Sequence, residues 1–221
     1  MRLNRLLAIL LVSLFSILVS GQAVAQAALA ERIKGQVSAA TAAGEIRELE
    51  QGSEIFSGET VATGPNSMIQ MNFTDGSIIT LRPNSRFQIQ DYAHDPDDAS
   101  KDSGFFSMLK GGLRAVTGLV GQRSRRSYRV ETAVATIGIR GTDFELRLCA
   151  ADCQDVEPLP QDGLYAGVND DGSDSGIIII NETGEYELNA GQYALILGKD
   201  VSALPLALRP RALGTQPLVC E

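Results

Sequence analysis

The stretch "TAVATIGIRGTDFELRLC", residues 132–149, decides the fold, because it reads as two apolar strand-like runs broken by Gly138, Arg140 and Gly141. Alternation of apolar and polar residues is the period of a strand with one buried face. Glycine inside such a pattern costs stability, so it marks a bulge, a sharp bend or a close approach of another backbone. "IGIRGTDF" is therefore read as a corner between strands, with Gly138, Arg140, Gly141, Thr142, Asp143 and Phe144 as its structural motif. At such a corner Arg140 satisfies carbonyls or pairs with Asp143, Glu131 or Glu145, since five donors in a planar fork reach several chain segments at once. The second reading of Arg140 is recognition of a ligand or partner.

The same period extends outward. Ile69, Met71 and Phe73 share one face of "MIQMNF", and "FQIQ" (87–90) and "YRVETAVATIGI" (128–139) alternate likewise. From Ile33 to Leu197 about fifteen such runs are separated by Gly, Asn, Asp or Pro, a spacing that predicts an all-β sandwich, barrel or solenoid of many short strands. Pro-Asn-Ser recurs at Pro65 and Pro83, each time before an alternating strand, and "GEIRELEQG" from Gly44 resembles "GEYELNAG" from Gly184. Asp75-Gly76-Ser77 recurs as Asp171-Gly172-Ser173, a tight-turn sequence in which Gly tolerates positive φ and the Asp side chain caps the turn. Repeated turn–strand units point to stacked coils. Residues 91–104, "DYAHDPDDASKDSG", and 153–163, "CQDVEPLPQDG", break the rhythm and are read as exposed loops.

At the N-terminus Arg2 and Arg5 precede an apolar run from Leu6 to Val19 that ends in Ala23-Val24-Ala25, the pattern of a cleaved secretory signal peptide over residues 1–25. The run is shorter than the roughly 20 residues that span a bilayer, so the mature chain is expected to be soluble and outside the cytoplasm. Of the 19 Lys and Arg, Arg2 and Arg5 leave with the signal, and the other 17 face 27 Asp and Glu, a formal charge of −10. Such a surface argues against nucleic acid as a partner.

Cys149 and Cys153, four apart, suit a small disulfide loop at a strand end, and C-x-x-x-C is not the redox spacing. Cys220 is left over, either free or paired between chains. The one histidine, His94, sits in the Asp-rich loop without a rigid frame, and Gly172-Ser173-Asp174-Ser175-Gly176 has Asp where a nucleophile elbow needs Ser. No catalytic, cofactor or metal residues are assigned, and the chain is read as not an enzyme. "DPDDASKD" and "NDDGSDSG" are read as solvated turns, with weak calcium binding as the alternative. Between Lys110 and Arg129 the sign reverses, with Lys110, Arg114, Arg123, Arg125, Arg126 and Arg129 and no acid among them. Arg123, Arg125, Arg126 and Arg129 are the candidate partner-binding patch for an envelope protein, an anionic glycan or lipid; the competing reading has the run facing the chain's own acidic stretch Asp95–Asp102.

"LKGGLRAVTG" followed by "VETAVATIGIRGTDFEL" resembles the signature of the FecR domain, supported by "GQVSAA" and "LEQGSEIFSGETVATGPNSMIQMNFTDGSIITLRPNSRF" in the family's order. The resemblance implies a β-strand-rich extracytoplasmic module that takes part in signal reception rather than catalysis. It divides the chain into a signal peptide (1–25), a FecR domain (26–148), a Cys/Pro linker loop (149–163), a C-terminal β-strand extension (164–200) and a tail (201–221). Family members that regulate sigma factors place a helical segment before a transmembrane helix, whereas here five residues precede the apolar run, so no direct sigma-factor binding is expected. The expected function is a non-enzymatic periplasmic ligand- or partner-binding module, with outer-membrane association or secretion as variants. The alternatives are a structural or adhesive envelope assembly protein and, last, a glycan hydrolase. The oligomeric state stays open.

Overall fold

The computed structural model describes residues 25–141, 143–153, 160–170, 172, 176–214 and 218–220. Its strands pair into two ladders that share one strand. The first runs β4 (Glu54–Phe56), β1 (Gln26–Lys34), β6 (Met68–Phe73), β7 (Ile78–Leu81), β9 (Ser103–Val116), β12 (Asp143–Ala150), β13 (Asp162–Val168), β16 (Tyr193–Ile196) and β17 (Leu204–Leu206). The second runs β3 (Ile46–Glu48), β2 (Val37–Ala40), β5 (Thr60–Thr63), β8 (Arg86–Ala93), β9 again, β10 (Tyr128–Glu131), β11 (Thr136–Ile139), β14 (Gly176–Asn181) and β15 (Gly184–Asn189). Every described pair is antiparallel except β9–β10. Through β9 the ladders form one hydrogen-bonded sheet of 17 strands, open at its edges. The chain is all-β, as its periodicity requires.

The alternation sets which face is buried. Ile69, Met71 and Phe73 of β6 point inward, as do Phe87 and Ile89 of β8 and Phe144 and Leu146 of β12. Phe73 of the first ladder meets Phe106 of the second edge-on, with ring centroids 5.6 Å apart, so the two ladders close over a single core. Edge-on aromatic pairs gain about 0.5–1.5 kcal/mol beyond their buried area. Leu164, Ala166, Ile177 and Leu188 from the strands after residue 160 lie in that same core, so the C-terminal extension continues both ladders.

The chain winds by stepping from one ladder to the other, and the corners carry the sequence repeats. Asn66 and Asn84, the central residues of the two Pro-Asn-Ser strings, both take left-handed φ of 56° and 57°, which Asn tolerates better than most side chains. Each following serine then ties a neighbouring crossing: Ser67 Oγ accepts from the Gln36 amide at 2.9 Å, and Ser85 Oγ accepts from the Gly112 amide at 3.0 Å. At Gly111, with φ +82°, β9 itself turns out of one ladder and into the other.

The Asp75-Gly76-Ser77 turn is buried rather than merely tight. Asp75 Oδ2 accepts from the Ser77 hydroxyl at 2.8 Å and from the Val120 amide at 3.0 Å, while Ser77 Oγ accepts from the Gly118 amide at 2.8 Å. These bonds hold the start of α1 (Leu119–Arg123), whose Val120 is buried in the core. Of the recurring Asp171-Gly172-Ser173, Gly172 has φ +78°, and Asp171 and Ser173 lie outside the described residues.

Candidate functional site

The corner at 138–144 is where β11 of the second ladder hands the chain to β12 of the first. Gly141, at φ +71°, makes the turn, and Thr142 lies outside the described residues. Gly138 differs from its sequence reading: it pairs in regular register with Arg129 and Ile178, and a Cβ there would meet its nearest neighbour at 3.9 Å. Neither a bulge nor a close approach demands glycine there. Phe144 is a core residue.

Arg140 reaches neither Glu131 nor Glu145. Its Nη2 donates to Asn189 Oδ1 at 2.5 Å and its Nη1 lies 3.6 Å from Glu187 Oε2, so it ties the corner to β15, across β14. Gly176 permits this passage, since a Cβ on it would sit 3.0 Å from Arg140 Nη2. Asp143 is held by another partner: Arg114 Nε donates to its Oδ1 at 2.9 Å and Nη2 to its Oδ2 at 2.5 Å. That paired geometry raises the Arg114 pKa against the opposing effect of burial.

The basic run does not act as one patch. Lys110 lies 4.0 Å from Asp152, Arg114 is committed to Asp143, and Arg129 donates to Glu131 at 2.9 Å while stacking over the Phe105 ring at 3.9 Å. Arg123 folds onto the acidic loop: it donates to the Asp95 and Pro96 carbonyls, both at 3.0 Å, and lies 3.5 Å from Asp102 Oδ2. Arg125 and Arg126 are exposed at a 3-10 turn, and among the described residues no carboxylate meets them.

The acidic loop is more ordered than its composition suggests. Asp91–Ala93 end β8, Asp98 caps a short 3-10 turn at Ala99–Lys101, and Asp102 is buried. Asp102 Oδ1 accepts from the Asp95 amide at 3.0 Å and meets His94 Nδ1 at 3.1 Å. His94, which the sequence placed in a frameless loop, therefore sits against a buried carboxylate. Asp95 and Asp98 are held below the usual carboxylate range, the first chiefly by Lys101 and the second chiefly by the Ser100 hydroxyl. Among the described residues no three His, Cys, Asp or Glu gather as a metal site would require, and the acidic string at 169–176 lies partly outside them.

The Cys149–Cys153 disulfide is formed, with Cα atoms 5.5 Å apart. Residues 154–159 of the Cys/Pro loop lie outside the described residues. Cys220 is free and 1% exposed. Burial pushes its thiol up, so it stays protonated in the folded chain over the neutral range.

The most developed polar cluster is one that sequence reasoning left aside. The outer side of β12 carries Asp143, Glu145 and Arg147, three charges in alternation on a strand otherwise apolar, and that alternation was the available signal. Glu145 is 0% exposed although it points away from the core. Arg82 Nη2 donates to its Oε2 at 3.0 Å and Arg209 Nη2 to its Oε1 at 2.8 Å. What buries it is the C-terminal segment, laid over the outer face of the first ladder. Arg82 donates to the Leu213 carbonyl at 2.6 Å, Arg114 to Leu218 O at 3.1 Å and Arg32 to Cys220 O at 3.1 Å. The tail is thus strapped down by arginines from three strand regions. No helix among the described residues is long and apolar enough to cross a membrane.

Residues 59–156 match the family model described as FecR protein. No curated protein matches the chain. Two crystal structures of a candidate anti-sigma factor from Parabacteroides distasonis ATCC 8503, at 1.65 and 2.50 Å resolution, align with it at a TM-score of 0.47 and 11% identity. Each alignment covers 69% of this chain and 61% of that one, so the chain spans less than two thirds of the neighbour's length. The region similar to FecR protein runs from Glu59, just before β5, to beyond β12.

Proposed function

We infer that this chain is an exported, non-enzymatic partner-binding module that serves signal reception at the bacterial envelope. The observation that carries the reading is the FecR-family region, built into a scaffold whose charged groups are mostly engaged in holding its own strands and tail. The exposed Arg125 and Arg126 are neighbouring cations that meet no carboxylate among the described residues on a chain of acidic balance, and they fit an acidic partner surface. Export rests on the N-terminal charge and apolar pattern, whose residues 1–24 lie outside the described ones.

Fractionation of cells expressing the full chain tests the first half: a periplasmic product shortened by about 25 residues is expected, and a full-length cytoplasmic product overturns it. Affinity capture from envelope extract tests the second, comparing the intact chain with an Arg125→Ser/Arg126→Ser double variant. Loss of the captured protein in the variant, with weakened capture of the intact chain at 0.5 M salt, is expected; identical recovery removes the arginine pair from the contact.

A further inference from the structure

We propose that the outer face of the first ladder, floored by Arg82, Arg114 and Glu145, is a docking groove for an extended peptide, and that residues Arg209–Gly214 occupy it as a built-in stand-in for a partner's segment. The occupant it selects is a peptide carrying one cationic side chain and, four residues on, a leucine-sized aliphatic one. The proposal rests on the partner-binding reading above and gives it a location.

The seated segment shows the chemistry of the site. Arg209 puts its guanidinium on Glu145, and Leu213 is fully buried beside Tyr165 and Tyr193. Gly167 makes room for it, since a Cβ there would lie 2.8 Å from Leu213 Cδ1. The floor also reads main chain, since Arg82 Nη2 holds Leu213 O at 2.6 Å, while the segment keeps its own turn through Arg209 Nε on Gly214 O at 2.8 Å. Carbonyl recognition is indifferent to side-chain identity, so another chain with the same two anchors satisfies the same donors.

The floor is also stable without its occupant. When Arg209–Gly214 lifts, Glu145 keeps Arg82 and Asp143 keeps both guanidinium bonds from Arg114, so no buried charge is stranded. Burial of an ion group is costly mainly when its partner is removed, and here each acid keeps a cation that the strand ladder itself supplies, Arg82 for Glu145 and Arg114 for Asp143. In addition, Arg82 Nε is buried without an acceptor while the segment is seated. The groove holds one more donor than its own tail uses, which an outside peptide with a differently placed carbonyl or carboxylate can take up.

A tethered occupant competes at an effective concentration of about millimolar, so the intact chain masks the groove. Cys220 reports on the seal, being the one cysteine outside the disulfide and lying on the same segment's continuation, where it is buried against Arg32. The test uses the full chain and a dye-labelled peptide of residues 207–214, ALRPRALG. In a Leu213→Asp chain, maleimide labelling of Cys220 is expected to accelerate at least tenfold while circular dichroism keeps its strand signature, and the peptide is expected to bind at least tenfold tighter than to the intact chain. A peptide with Arg209→Ala is expected to lose that binding at least tenfold. If Leu213→Asp does not fold, an Arg209→Ala chain is read in the same way. Folded protein whose Cys220 is released without peptide binding overturns the groove, and unchanged labelling in a folded variant overturns a separable strap. Either failure leaves capture through Arg125 and Arg126 untouched, so the two proposals fail separately.

Discussion

Gly111 passes Ser85 so closely that a Cβ on the glycine would lie 2.6 Å from Ser85 Cα, and Gly35 passes Ser67 in the same manner at 3.1 Å. Both glycines have left-handed φ, +82° and +74°, and both face the serine of a Pro-Asn-Ser turn. One corner design is therefore used twice. Gly111→Ala combines a positive-φ cost of about 1–2 kcal/mol with overpacking against backbone of about 1–3 kcal/mol. The expected result is a loss of about 2–5 kcal/mol in urea unfolding. Gly138→Ala, where the Cβ has space and φ is not left-handed, is expected to change stability by less than about 1 kcal/mol. Equal effects at the two positions would refute this account of the corners.

Glu145 stands at the centre of the strap's charge network with Arg82 and Arg209 on its two oxygens. Replacing it by Gln leaves two guanidinium groups beside a neutral amide in a buried setting, a change of about 3–5 kcal/mol. The contrast is Glu187→Gln: that carboxylate is 59% exposed and 3.6 Å from Arg140, so a loss below about 1 kcal/mol is expected. Thermal unfolding of the two variants side by side reads the difference. A small loss for Glu145→Gln would mean that the strap, not the acid, screens Arg82.

The fold was legible because its signal is local. Alternation in "MIQMNF" and "YRVETAVATIGI" names the inward residues, and the recurring Pro-Asn-Ser names two corners without any knowledge of the partner strands. What those corners touch was not legible. The partner glycine of Ser85 is Gly111, 26 residues on, and nothing in "LKGGLRAV" says that one strand serves both ladders. The same limit applies to charge. Arg140 meets Glu187, 47 residues away, where nearby acids were expected, and Glu145 meets Arg82 and Arg209, 63 and 64 residues away. Ion pairing in a wound sheet follows ladder neighbours, and sequence distance carries little of that information. Composition also misleads for the acidic loop, where Asp102 is buried with the Asp95 amide and His94 on one oxygen and the Arg123 guanidinium 3.5 Å from the other.

The disulfide closes a loop from Cys149 to Cys153 at the end of β12, and Arg147 Nε donates toward Cys153 Sγ at 3.2 Å. So short a loop restricts the unfolded chain only modestly, about 2 kcal/mol on the chain-entropy account. Reduction is therefore expected to lower the urea midpoint without unfolding the chain in buffer. A reduced protein that loses its circular-dichroism strand signal in buffer would show that the bridge organises the strand end itself.

Tyr128 is 2% exposed, and its hydroxyl is buried without a hydrogen-bond partner among the described residues. Burial pushes its pKa up well beyond the ordinary phenol value, with the negative charge of Asp75 adding to the effect. The unfolded chain therefore releases this proton above about pH 10 while the folded chain retains it, so the unfolded state binds fewer protons there and stability falls as pH rises. Below pH 10 the two states hold the proton alike and the slope vanishes. Tyr92 is shifted the same way, chiefly by burial, and adds to the alkaline loss. Tyr128→Phe removes both the titration and an unsatisfied hydroxyl, and an orphaned polar group costs about 1–3 kcal/mol. The variant is expected to gain about 1 kcal/mol at pH 7 and a larger margin over the parent at pH 11, read as urea midpoints at the two values. A margin that does not widen between pH 7 and pH 11 would show that the phenol ionises in the folded chain as easily as in the unfolded one, and that the hydroxyl reaches solvent.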